Sequence, residues 1–337
     1  MKGFSLLLKV DIGYFYKEGK VRRLISMIIR RLFQLVLLLI GISFLVFASM
    51  HMAPGDPASI IAGPTATDSD IAAIQESLGL NKPFLVQYWD YLKNVLQGDL
   101  GYSYQTKQSV SEAIALRFPN TLNLAIASII VAVVIGLVAG IISALKQNSW
   151  LDVFSTVFSL GGISIPNFWL GSILILVFAV NLQMLPVGGL DAPFWTIEGM
   201  QQLILPAITL GTGSAAMIAR MSRSSMLEVI QADYVRTARA KGVKEKSIIG
   251  VHAMKNAMIP VITVIGVNFG GLLGGTIITE QVFAINGVGR LMINAIASRD
   301  FPMVQGSVLL VASLFVLVNL IVDIIYVFVD PRISYDN

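Results

Sequence analysis

What most constrains this chain is a set of long, nearly uncharged apolar runs at residues 32–50, 121–145, 153–180, 203–219, 258–279 and 306–329. Each approaches or exceeds the roughly 20 residues (range about 17–25) that a helix needs to cross a bilayer core. A soluble domain with this many such runs would have no polar face left to offer water. Charged residues make up 13% of the 337, against about 25% in ordinary soluble domains. A lipid-facing surface explains the deficit, because an ionised side chain at the bilayer centre costs several kcal/mol. The runs are continuous, without the ten-residue alternation of a transmembrane barrel. The chain therefore reads as an all-α polytopic membrane protein with six spans.

Lys and Arg fix an expected orientation. Eighteen of them fall before the first span, in the second and fourth connections and in the tail, against six on the other side. Both termini are thus expected in the cytoplasm, with 1–30 a cytoplasmic segment and 31–52 the first span. No cleavable signal pattern precedes that span. The outer connection, 53–120, is expected to be a small helical cap. Asp68 or Ser69 opens a first helix ended by Gly79, Pro83 opens a second carrying Phe84, Tyr88, Leu92 and Leu96 as one stripe, and Ser109 with Glu112 fits a capping box for a third. The remaining spans, 121–334, form the core. With Cys 0, disulfides, thiolate metal sites and cysteine nucleophiles are excluded.

Within the spans, Gly266, Gly270 and Gly274 recur every fourth residue, with Gly271 and Gly275 beside them, and Gly136 and Gly140 repeat the spacing. Small residues so placed let helix backbones approach closely. They serve packing inside one bundle, a seam against a partner subunit, or both. The third run contains Ser164, Pro166 and Asn167, where proline removes a backbone donor and frees a carbonyl. Ser164, Pro166, Asn167 and, in the fifth run, Asn268 are candidates for a translocation pathway, or else hydrogen-bond to neighbouring helices. Asp323 is expected to pair with Arg30, Arg31, Arg220 or Arg223. Glu280 is expected at the outer interface, and His51 and His252 are expected to be structural.

The fourth connection breaks the hydrophobic habit. Asp233 sits near a helix start, Arg236, Arg239 and Lys241 follow, and Gly242 stands at a plausible C′ position. Ala238 and Ala240 leave room for something to pack closely. A second amphipathic stretch runs on to Pro260. This helix–glycine–helix hairpin offers a docking surface, although a loop held by anionic lipid has the same signature.

The segment from Asp233 to Gly242 resembles the ATPase-docking loop of ABC importer permeases, in the form found in the dipeptide, oligopeptide and nickel family. The resemblance extends through MAPGDP at 52–57, LGLNKP at 78–83, GDLG at 98–101, RFPNTL at 117–122 and MSRSSMLEV at 221–229. It continues with HAMKNAMIP at 252–260, TEQVF at 279–283, GVGR at 287–290 and DPRI at 330–333. Ala238 and Gly242 match the general importer motif, whereas Arg236 stands where that motif has glutamate, as is usual in the peptide branch. The resemblance implies type I importer architecture, with a docking loop over 227–257. It also implies a homologous second permease subunit, two cytoplasmic ABC ATPase subunits holding ATP and Mg, and an extracytoplasmic substrate-binding protein. Peptide cargo is the leading expectation, with nickel, a metal chelate or glutathione as alternatives in the same family.

Other classes fit less well. There is no phosphate-cradling lysine loop, no zinc-protease motif and no cysteine, so the chain is not expected to be an enzyme or to bind a cofactor or metal. The basic residues gather beside spans, which argues against nucleic acid as a partner. An ion-coupled secondary transporter predicts inverted repeats and ionisable groups at the midplane, and the sequence carries neither.

Overall fold

The computed structural model describes residues 18–52, 56–63 and 65–329. The chain opens with α1 (Glu18–Met52), then the short cap helices α2 (Pro57–Ala62), α3 (Asp68–Ser77) and α4 (Phe84–Leu96). A two-residue antiparallel pair, β1 (Tyr102–Ser103) and β2 (Gln108–Ser109), leads into α5 (Val110–Leu145). Next come α6 (Trp150–Ser164) and α7 (Asn167–Leu174), which continues as a π-helical segment, Ile175–Asn181. Then α8 (Ile197–Ile230), α9 (Asp233–Ala240), α10 (Met254–Val282), α11 (Val288–Ala297) and α12 (Phe301–Val329) complete the order. Among the described residues, five helices are long and apolar enough to cross a membrane, and six spans result if the bent pair α6–α7 counts as one.

The third run, expected as one helix over 153–180, is broken. Ile165 is extended (φ −79°, ψ 124°), Pro166 caps α7, and the two pieces bend by 108°. A residue before proline is pushed out of the α region, and proline offers no N–H to continue the ladder. The cap differs from expectation at both ends. Thr67, not Asp68 or Ser69, is the N-cap of α3, in a reciprocal box with Asp70. No separate third helix forms: Ser109 makes no side-chain cap, and Val110 begins the continuous α5, so the boundary expected at 121 falls inside a helix.

The core is organised around α8. Its most apolar stretch is 72% buried, whereas none of the other four single-helix spans exceeds 28%. It packs along α5, where a Cβ at Gly136 would stand 2.7 Å from the Ala215 carbonyl oxygen and one at Gly211 would stand 2.7 Å from that of Ser128. Contact this close between helix backbones leaves no room for a β-carbon on either side. Helices α6, α7 and α10 cover other faces of α8, and α12 packs on α10 and α1. The fifth-run glycines divide accordingly: Gly266 and Gly270 meet Val322 and Asn319 of α12, while Gly271 and Gly274 meet nothing within 4 Å.

The cap is fastened to α1 by aromatic side chains. Phe84 and Tyr88 meet Phe44 edge-on, at ring-centroid distances of 5.9 and 5.2 Å, and Tyr91 stacks on Phe47 at 5.6 Å. Tyr88 Oη donates to the Ile40 carbonyl (3.1 Å), and His51 Nε2 lies 3.0 Å from Gln87 Oε1, a structural role for that imidazole. A buried Ser103–Asp300 hydrogen bond ties β1 to the start of α12.

Candidate coupling site

At the end of the bundle opposite the cap, α8 runs out at Ile230 and the chain turns into α9. Ala232 starts α9 in an extended conformation, and Val235 faces inward with no exposed surface. The helix stops because Gly242 adopts φ +76°, a left-handed conformation that costs other L-residues about 1–2 kcal/mol. The Val243 N–H reaches back to the Ala238 carbonyl (3.2 Å) and the Gly242 N–H to that of Arg239 (2.9 Å), the paired bonds of a Schellman stop. The return limb is a single turn, Glu245–Ser247, and a π-helical segment, Ile248–Ala253, that feeds α10.

The hairpin is seated, not floating. Val235 and Ile248 are fully buried, and Ala253 and Ala257 cluster with Ala144 of α5 and Met226 of α8. Asn256 Nδ2 donates to Tyr234 Oη at 2.8 Å, closing α9 onto α10. Across the glycine, Arg239 forks onto Glu245, with Nη2 to Oε1 at 2.7 Å and Nε to Oε2 at 3.2 Å. Arg239, expected in the last turn of the docking helix, is therefore also a brace of the turn. Arg236 lies beside Asp233 at 3.7 Å, with both side chains well exposed. Ala240, Lys241 and Gly242 are exposed and Ala238 is half-buried, so the outward surface is a small-residue tip carrying positive charge.

Beside the hairpin lies a polar knot that the sequence did not reveal. Asp152 of α6, nearly buried, receives Arg223 of α8 through Nε (2.7 Å) and Nη2 (2.9 Å). It also accepts from Ser143 Oγ of α5 (2.5 Å) and the Asn148 N–H (3.0 Å). Three helices are thereby pinned at the end that carries the hairpin. Arg223, one of the four basic residues expected as partners of Asp323, is engaged by Asp152. The side chains of Asp323 and His252 lie outside the described residues, as do residues 330–337.

The pathway candidates are not drawn into one cluster. Ser164 and Pro166 are exposed and Asn167 is half-buried, all at the α6–α7 bend. Asn268 spends its amide on its own helix, donating to the Val264 carbonyl at 2.8 Å. Near them, α10 presents an uncovered stripe of Val267, Gly271, Gly274 and Ile278. Glu280, expected at the interface, is instead fully buried at the capped end. No group of three or more metal-ligating side chains occurs among the described residues.

Comparison with known proteins gives this geometry a context. Residues 136–335 match the family described as binding-protein-dependent transport system inner membrane component, and residues 24–125 match its N-terminal companion. The glutathione transport system permease protein GsiC of Escherichia coli O6:H1 is 45% identical over 312 residues, covering 93% of this chain and 100% of that protein. The dipeptide transport system permease protein DppB of Alkalihalophilus pseudofirmus is 45% identical over 327 residues, covering 91% of this chain and 98% of its own. A chain of the MetNI methionine ABC transporter, solved in inward-facing conformations, superposes with TM-score 0.53 at 21% identity. It covers 64% of this chain and 95% of its own. The fold is that of a type I importer transmembrane domain.

Proposed function

Because the chain belongs to the binding-protein-dependent transport system inner membrane component family, we propose that it is the permease subunit of an ATP-driven peptide importer. It is a multi-pass inner-membrane protein, and its relatives are permeases and not enzymes. The observation that carries the cargo assignment is end-to-end 45% identity with both a dipeptide and a glutathione permease. Short peptides are what the two cargoes share, and glutathione itself is the second reading. The end bearing α9 faces the cytoplasm in this reading, which agrees with the excess of Lys and Arg there. Separate ATPase subunits hold ATP and Mg, a homologous permease completes the pathway, and an extracytoplasmic binding protein delivers cargo to the capped side.

The mechanism follows from which parts are stiff. A push on α9 has little room to dissipate, because the Schellman stop, the Arg239–Glu245 brace and the Tyr234–Asn256 bond close the hairpin on itself. The hairpin connects α8 to α10, unbroken helices of 34 and 29 residues, about 51 and 44 Å long. Closure of the ATPase pair then tilts both helices as rods, exchanging outward for inward access. Ser164, Pro166, Asn167 and Asn268 are proposed to flank the moving pathway, with Asp233, Arg236, Ala238, Arg239, Ala240, Lys241 and Gly242 as the ATPase-docking surface.

The test is uptake by the full complex, reconstituted with its ATPases and cognate binding protein in sealed vesicles. Labelled dipeptide and labelled glutathione are offered separately, with ATP or with an imposed ion gradient. Uptake that requires ATP supports the assignment, and the preferred label names the cargo. Uptake driven by the gradient without ATP overturns it.

A further inference from the structure

The capped end of the bundle converges on one buried acid. Glu280, two residues before the end of α10, has no exposed surface. Its Oε1 accepts from Thr121 Oγ1 of α5 at 2.7 Å, and its Oε2 accepts from the Arg290 N–H of α11 at 2.9 Å. Gly289 packs directly against the same oxygen, where a β-carbon would stand 2.9 Å from Oε2. Arg290 turns its own guanidinium to the Ala284 carbonyl (2.8 Å), and no ion pair to Glu280 occurs among the described residues. The carboxylate is thus compensated by dipoles, among them the Arg290 N–H near the start of α11.

The surrounding chain is built to this contact. A β-carbon at Gly287 would overlap both Glu280 oxygens, so only glycine lets the chain pass there. Thr121 works in two directions, donating to Glu280 while accepting the Val288 N–H at 2.9 Å. Asn120 donates to the Asn286 carbonyl (3.1 Å) and Arg117 to its side-chain oxygen (3.2 Å). Three residues on, the buried Phe283 accepts the Gly189 N–H at 2.8 Å and meets Gly171 of α7. Helices α5, α7, α10 and α11 therefore share one junction around Glu280.

We propose that Glu280 is the positioning residue of the outer gate. By fastening α11 to the ends of α5 and α10, it makes the capped end move as a single body when α10 tilts. Movement delivered at the hairpin then reaches the outer mouth instead of being absorbed by the connection between Phe283 and Val288. This rests on the import function proposed above.

The test uses the complete transporter with two variants. Glu280→Ala removes the anchor, and Thr121→Val removes the bridging hydroxyl while keeping the side-chain shape. The chain has no cysteine, so spin labels can be placed on the exposed Leu116 of α5 and Ile296 of α11. Losing both side-chain hydrogen bonds of this buried acid lowers the docked fraction of α11 by roughly tenfold. In wild type the label distance forms one narrow distribution that ATP leaves unchanged, because α5 and α11 belong to the same body. In the variants it broadens, and ATP consumed per peptide transported rises several-fold at unchanged ATPase assembly. Glu280→Gln, which keeps one acceptor, restores part of the coupling. A variant that only melts earlier, with wild-type distances and stoichiometry, overturns the proposal. If Glu280→Ala does not assemble, Thr121→Val alone decides. If wild type takes up no peptide, the import reading fails, while the label distances still report on α11.

Discussion

Removing Arg223 is predicted to damage the protein more than removing its partner Asp152. The asymmetry comes from burial: the Asp152 side chain is 8% exposed and that of Arg223 is 33% exposed. Arg223→Ala strips Asp152 of two charge-assisted bonds, at 2.7 and 2.9 Å, and leaves it with only the Ser143 hydroxyl and the Asn148 N–H. Such bonds contribute about 1.5–3 kcal/mol each, and leaving one partner of a buried pair costs about 3–5 kcal/mol. The open edge of the site discounts this to about 3 kcal/mol. Asp152→Ala frees a guanidinium that already reaches water and can turn outward, for about 1–2 kcal/mol. The double variant should cost no more than Arg223→Ala alone, because the carboxylate left without its partner is gone. Thermal melting of the purified complex in nanodiscs reads the order directly. Asp152→Ala melting below Arg223→Ala, or single effects that add in the double, would refute the reasoning.

Other expectations concern the hairpin and the cap. Gly242→Ala puts a β-carbon at φ +76° and should cost about 1–2 kcal/mol locally, lowering transport per ATP while membrane insertion, read by protease protection, stays normal. Arg239→Glu faces Glu245 with a like charge and should weaken co-purification of the ATPase subunits. Glu245→Arg in the same chain should restore it if the brace is what matters. Burial, with neighbouring Tyr88 adding to it, pushes the Tyr91 phenol from 10.0 up to about 12. A raised acid favours the folded state fully below 10, and that advantage disappears as pH climbs toward 12. Ultraviolet titration should show one tyrosine ionising late, and Tyr91→Phe should remove that step.

The spans were legible because crossing a bilayer imposes a length and a composition on contiguous residues. The turn at Gly242 was legible for a similar reason: a left-handed residue after a short basic helix is a local demand. Pro166 announced a disturbance in the third run, but a 108° bend depends on what α7 packs against. The Asp152–Arg223 contact was hidden because its members lie 71 residues apart and each has an ordinary local reason to be near a helix end. Glu280 was misjudged for a related reason: sequence fixes where a helix ends only within a few residues, and α11 folds back over that end. The start of α5 was missed because the apolar run begins only at 121, whereas the helix already begins at Val110 and passes through Pro119, which removes one bond without ending it.

The burial of α8 also bears on how the chain enters the membrane. Its hydropathy is 1.4, against 3.0 for α5, and it buries Gln202, Thr209, Ser214, Ser222 and Ser225. Partitioned into lipid alone, α8 would expose these polar side chains to hydrocarbon rather than protein, which is costly even though Thr209 keeps its bond to the Leu205 carbonyl of its own helix (2.8 Å). Its partner along the close glycine contacts, α5, precedes it in the chain and is synthesised first. Order of synthesis thus supplies a protein surface for the least apolar span before that span has to leave water, making α5 a template for its insertion.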